Sequence, residues 1–270
     1  MHESTLITFV CYFVFLLAIG LYFYRRSKSI EDYLLGGRSM GSWVTALSAQ
    51  ASDMSGWLLM GLPGAIYVKG TPEIWIIFGL LVGTFINWKF IAARLRVYTQ
   101  QTNTITLPSF FESRFNDPTG LLRVISAVII LIFFTVYASA GLKGSGLLFE
   151  SMFENVSYRQ GVLIGAAVII VYTCLGGFLA VCWTDFFQGI LMLAAVLVVP
   201  VLAYDQVGGW DAITLAMQSQ GISTSLIPYG KGIPFLIVCS SLAWGLGYFG
   251  QPHILTRFMG PSRCRSCPTP

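Results

Sequence analysis

Charge is what this chain has least of. Asp, Glu, Lys and Arg make up 10% of its 270 residues, where a soluble domain carries roughly 25%. That supply cannot cover a water-facing surface, so a soluble globular enzyme is excluded. A disordered chain is excluded too, because 55% of the residues are hydrophobic and disorder needs the opposite balance. Histidine is nearly missing: His2 and His253 are the two present, too few and too separated for a metal cluster. Of the six cysteines, Cys11, Cys174, Cys182 and Cys239 sit in apolar runs and read as small hydrophobes. Cys264-Arg-Ser-Cys267 is a single C-x-x-C with no second ligand pair, so it reads neither as a zinc site nor as part of a disulfide framework. No H-E-x-x-H, G-x-S-x-G or Walker sequence occurs, and no enzyme is indicated.

What is there is apolar length. The mean hydropathy of +0.72 leaves a polytopic membrane protein, with room for about six to eight spans at roughly 20 residues each. Seven runs qualify: residues 4–24, 38–69, 74–93, 124–149, 160–184, 186–204 and 232–256. They lack the strict alternation of a membrane barrel, so the expected fold class is all-α with seven transmembrane helices. Residues 97–122 and 205–231 are polar, turn-rich connections.

The first run precedes Arg25, Arg26 and Lys28, the reverse of a signal peptide's order. It reads as a retained helix with the N-terminus outside. Twelve basic residues then fall on the cytoplasmic side (Arg25 to Arg38, Lys89 to Arg123, Arg257, Arg263 and Arg265). Lys69, Arg159 and Lys231 fall outside, and Lys143 lies within the fourth run. The asymmetry obeys the positive-inside rule. The net charge of +4 therefore sets topology and meets anionic membrane lipid. It does not call for nucleic acid.

Asp53 is the charge topology does not explain. A carboxylate at mid-membrane depth costs about 2.5–3.5 kcal/mol on insertion scales, so it reads as functional. Gly56, Gly61, Pro63 and Gly64 follow closely, so the second span is expected to break there. Unwound backbone lining a cavity offers carbonyls, which with the Asp53 carboxylate and Ser55 hydroxyl make hard oxygen ligands for a small cation. The alternative is a capping role or a pair with Lys143, which could equally snorkel outward. Gly176 and Gly177 allow a tight reversal between spans five and six. Asp185 with Gln188 fits a capping box at the start of span six, with ion binding as the other reading. Trp244 and Tyr248, spaced i, i+4, are expected on one helix face, as a substrate wall or as packing. Tyr137 has the same two readings. Gly79/Gly83 and Gly161/Gly165 suit close helix packing.

Taken together, several segments resemble one family. They are Leu35-Gly-Gly-Arg38, Ser52-Asp-Met-Ser-Gly-Trp57, Tyr172-Thr-Cys-Leu-Gly-Gly-Phe178, Cys182-Trp-Thr-Asp185 and Ala243-Trp-Gly-Leu-Gly-Tyr-Phe-Gly-Gln-Pro-His253. These resemble the sodium:solute symporters, most of all the proline-carrying ones. The resemblance implies one helix preceding the first repeat of an inverted-repeat fold of five plus five helices. It implies sodium as coupling ion, no other cofactor, and proline or a similar small solute as cargo at the cytoplasmic membrane. By the same resemblance, Ala51, Asp53, Met54 and Ser55 would serve sodium. Gly56, Trp57, Tyr137, Trp244 and Tyr248 would lie at the solute, and Arg38 and Asp185 would act in coupling or structure.

The resemblance runs through residues 1–259, the expected transporter domain. Residues 260–270 do not look like the family and read as an out-of-frame or truncated tail, since family members continue into a second repeat. Two other functions stay open: a non-transporting truncated membrane fragment, and a seven-span receptor, which would need a continuous second helix.

Overall fold

The computed structural model describes residues 3–54, 56, 61–227 and 234–262. Ser55, Trp57, His2, Cys264 and Cys267 lie outside the described residues.

The uncharged first run forms α1 (Glu3–Tyr24). A short helix, α2 (Ile30–Leu35), starts at a capping box in which Asp32 N–H donates to Ser29 Oγ at 3.0 Å and Ser29 N–H to Asp32 Oδ2 at 3.1 Å. After a left-handed turn at Gly36 and Gly37 (φ 65° and 56°) comes α3 (Ser42–Asp53), and then α4 (Leu62–Lys69). Helix α5 (Ile74–Ile86) passes through a π-helical stretch, Asn87–Ala92, into α6 (Ala93–Gln101). The short α7 (Leu107–Arg114) precedes α8 (Leu121–Met152) and α9 (Tyr158–Val207). The remainder is α10 (Trp210–Ser219), α11 (Pro234–Leu242), a 3-10 stretch Ala243–Gly250, and α12 (Pro252–Met259).

Among the described residues, four helices are long and apolar enough to cross a membrane: 4–24, 71–101, 121–152 and 158–207. The last is 50 residues long and is not straight. Gly177 takes φ 59°, ψ −155° inside it, a conformation open to glycine and costly to other residues. The packing of α1 shows where the chain goes from there. Gly20 of α1 abuts Tyr172 and Gly176, whereas Tyr12, farther back on α1, meets Gln188. The second arm therefore runs back along α1, and the reversal expected at the paired glycines is found at Gly177. The Tyr33 hydroxyl holds the hinge by donating to the carbonyl of Cys174 at 3.2 Å.

Small residues decide how closely the other helices approach. Gly79 and Gly83 lie directly on the backbone of Leu242 and Gly245, which sets the 3-10 stretch against α5. Gly161 packs on the backbone of Gly146 and Gly165 on the side chain of Ser145, both in α8. Both spaced glycine pairs are thus contact surfaces. The other sides of α8 and of the second arm of α9 present exposed apolar residues such as Val124, Ile132, Leu191 and Leu197, as lipid-facing helices do. A buried cluster of Leu35, Leu95, Leu107, Tyr248, Leu255, Phe258 and Met259 gathers the short helices at one end.

Candidate functional site

Helix α3 stops at Asp53, because Met54 leaves helical geometry (φ −71°, ψ 71°) while its N–H still closes the last turn on Gln50 at 3.2 Å. The break expected in the second run is there, next to the carboxylate, and it removes the continuous second helix that a seven-span receptor would need. Ala51 is buried and lies beside Gly189 of α9.

Asp53 is half-buried, and its Oδ2 accepts a hydrogen bond from the Tyr248 hydroxyl. The pairing with Lys143 does not form; Lys143 is exposed on α8. Tyr248 is 4% exposed, whereas Trp244 is 48% exposed. They do not share a face as expected, because Ala243–Gly250 is 3-10 and not α. At about three residues per turn, positions four apart diverge by about 120°. Tyr137 stacks on the His253 ring at 5.5 Å, with Phe134 alongside. Gly56 is exposed.

A narrow cavity separates α3 from α5 and the 3-10 stretch, lined among others by Gln50, Asp53, Thr84, Asn87 and Tyr248. Asn87 opens the π-helical stretch and is 1% exposed. Its Nδ2 donates to the carbonyl of Tyr248 at 3.1 Å, and its Oδ1 is buried with no hydrogen-bond partner among the described residues. An unpaired buried acceptor costs about 1–3 kcal/mol, and π-helical turns concentrate at functional sites. Sequence reading passed over Asn87, although a polar side chain inside an apolar run was the available signal.

A second polar cluster lies one turn or so behind the break. The capping role expected of Asp185 is not found; it sits inside the second arm of α9, which begins at Gly177. Its Oδ2 accepts from Arg257 Nη2 at 2.6 Å, Ser48 Oγ at 2.8 Å and Ser52 Oγ at 3.2 Å. Arg257 also donates from Nε to Ser48 Oγ at 2.7 Å and from Nη1 to the carbonyl of His253 at 2.5 Å. The two charged side chains are 8% and 13% exposed. Arg257, counted among the topology-setting cations, is thus a buried partner that ties α12 to α3 and α9.

Arg38, itself left-handed (φ 52°), reaches across the end of the molecule. Its Nε pairs with Glu31 at 3.0 Å, Nη2 donates to the carbonyls of Thr104 (2.9 Å) and Thr99 (3.1 Å), and Nη1 to that of Met259 (3.2 Å). One guanidinium fork thereby fastens the turn after α2 to α6 and to the end of α12. Beside it, Met40 N–H donates to the carbonyl of Gly260 at 3.2 Å, and Ser262 N–H to that of Met40 at 3.0 Å.

Comparison with known proteins agrees with this picture. The profile of the Sodium:solute symporter family matches residues 33–267. The sodium/proline symporter of Escherichia coli (strain K12) is 49% identical over 256 residues, which are 94% of this chain and 50% of that protein. The high-affinity proline transporter PutP of Bacillus subtilis (strain 168) is 49% identical over 90% of this chain and 51% of its own length. The osmoregulated proline transporter OpuE of the same strain is 46% identical over 96% and 52%. The chain spans about half the length of the curated relatives it matches. A solved structure of a Na+-coupled sialic acid symporter superposes with a TM-score of 0.76 at 16% identity, covering 94% of this chain and 53% of that one. At that identity the likeness concerns the fold alone.

Proposed function

Because the chain belongs to the sodium:solute symporter family, an all-helical family of multi-pass membrane transporters, we propose that it serves sodium-coupled uptake of proline or a similar small solute. The cytoplasmic membrane is the site, and alternating access is the mode. The observation that carries this reading is the end of α3 at Asp53, with Met54 out of the helix. A helix that stops frees the carbonyls of its last turn, and in a membrane such backbone is tolerated where it lines a cavity.

In this reading the backbone of Ala51 and Met54, with Asp53 and Ser55, receives the sodium ion. Gly56, Trp57, Tyr137, Trp244 and Tyr248 surround the solute. Tyr248 is the link between the two, since its hydroxyl holds the Asp53 carboxylate while its backbone borders the cavity. Arg38 and Asp185 transmit the state of the break to the rest of the protein. Arg38 does so at the end where α2, α6 and α12 meet, and Asp185 through Ser48 and Ser52 on α3 itself. Inward sodium movement supplies the drive, about 2.3 kcal/mol per charge for each 100 mV.

The proposed topology is seven spans with the N-terminus outside, one helix and then the first repeat of an inverted-repeat fold. Residues 1–259 form the transporter part. Support for seven comes from the broken second run and from the two arms of α9. Uptake of radiolabelled proline into proteoliposomes holding the chain is the test. Accumulation is expected with an inward sodium gradient and not with potassium in its place. Equal uptake under both, or none, overturns the reading.

A further inference from the structure

Asn87 is fixed at one end and open at the other. Donation from Nδ2 to the Tyr248 carbonyl at 3.1 Å settles which end of the amide is oxygen. That leaves Oδ1 buried and unpartnered among the described residues, on a side chain that is 1% exposed. Among the described residues, the cavity it lines carries the Asp53 carboxylate and no basic side chain. Asp53 Oδ2 accepts from the Tyr248 hydroxyl, and the amide oxygen of Asn87 is a second, unpartnered acceptor beside that carboxylate. A neutral amide oxygen beside a carboxylate suits a ligand that brings both positive charge and N–H donors.

We propose that Asn87 Oδ1 accepts a hydrogen bond from the ammonium group of the carried solute, making Asn87 a specificity-determining residue. The inference rests on the transport reading above. It assigns Asn87 two tasks at once: its amide nitrogen holds the 3-10 stretch at Tyr248, and its amide oxygen reads the nitrogen of the cargo.

The test compares sodium-driven uptake of proline and of N-methylproline, which has one N–H fewer, by the full chain in proteoliposomes. Wild type is expected to show a KM about tenfold higher for N-methylproline, the worth of one hydrogen bond to a charged group. In Asn87→Leu, which keeps the branched shape but offers no acceptor, the KM for proline rises about tenfold and the ratio between the two solutes falls towards one. Asn87→Asp, which keeps an acceptor oxygen, retains the discrimination. A purely steric penalty on the methyl group would survive in Asn87→Leu, and that result overturns the inference while leaving the transport reading in place. So does a wild type that treats both solutes alike, which decides the matter even if Asn87→Leu fails to reach the membrane. No sodium-driven uptake of either solute by wild type overturns the transport reading, and this inference with it.

Discussion

Arg257 Nη2 lies 2.6 Å from Asp185 Oδ2, in a pair between side chains that are 8% and 13% exposed. Ser48 completes the arrangement by donating to Asp185 and accepting from Arg257. Two buried charges are tolerable here because they pair with each other and are bonded further, Asp185 by Ser48 and Ser52 and Arg257 by Ser48 and the carbonyl of His253. The helices they join, α3, α9 and α12, are the ones that frame the break at Asp53.

Breaking this pair from one side is expected to destabilise more than removing it. Arg257→Met leaves a buried carboxylate unpaired, at a cost of about 3–5 kcal/mol, whereas an apolar replacement of both partners is often neutral. Thermal unfolding in detergent should therefore show a large loss of Tm in Arg257→Met and in Asp185→Leu, and substantial recovery in the double variant. Additive losses would show that the two side chains act independently.

Tyr248→Phe removes the hydroxyl that donates to Asp53 and leaves the buried ring in place. A hydrogen bond to a charged group is worth about 1.5–3 kcal/mol, so the sodium concentration for half-maximal uptake should rise by about tenfold or more. The expected loss of thermal stability is small beside it. An unchanged sodium dependence would separate Tyr248 from the ion site.

Gly83→Ala is expected to be disruptive despite its size. A Cβ there would run into the carbonyl of Gly245, which is backbone and cannot rotate away, and overpacking of this kind costs about 1–3 kcal/mol. Gly141→Ala, on a part of α8 where an added Cβ meets nothing within 4 Å, should be neutral or stabilising. Parallel melting curves of the two variants in detergent give the comparison; equal behaviour would refute close backbone contact between α5 and the 3-10 stretch.

Acid sensitivity should include a contribution from Asp117, outside the spans. The Thr119 side chain donates to its Oδ1 at 2.6 Å and the Leu122 N–H at the start of α8 donates to its Oδ2 at 2.8 Å. These bonds favour the charged form and hold its pKa below the ordinary value. A depressed carboxylate contributes stability that is complete above the unfolded pKa of about 3.9 and is lost as pH falls through the lower folded value. Asp117→Asn should flatten that part of the curve of Tm against pH below 4; an unaltered acid limb would rule it out.

Much of the molecule was legible because lipid punishes charge so strongly. The runs that became α1 and α8 are unmistakable as apolar stretches, and Asp53 stood out as a carboxylate within one. The break after it followed from the density of glycine and proline. The shared face expected of Trp244 and Tyr248 is not found, since a spacing of four implies one face on an α-helix and this segment is 3-10. The partner of Arg257 was not legible, because a basic residue at the edge of a span looks the same whether it faces headgroups or a buried acid. One sign was available: Asp185 also falls among apolar residues, and an acid and a base in such places suggest each other.

By itself the sequence determined the solvent, the helical class and the location of the break, because each depends on local composition against the cost of burying charge or unpaired backbone. Only the tertiary structure decided the partners. Asp53 with Tyr248, Asp185 with Arg257, and the Asn87 oxygen left open are contacts between helices far apart in the chain. Their existence depends on how closely glycine backbones let those helices approach.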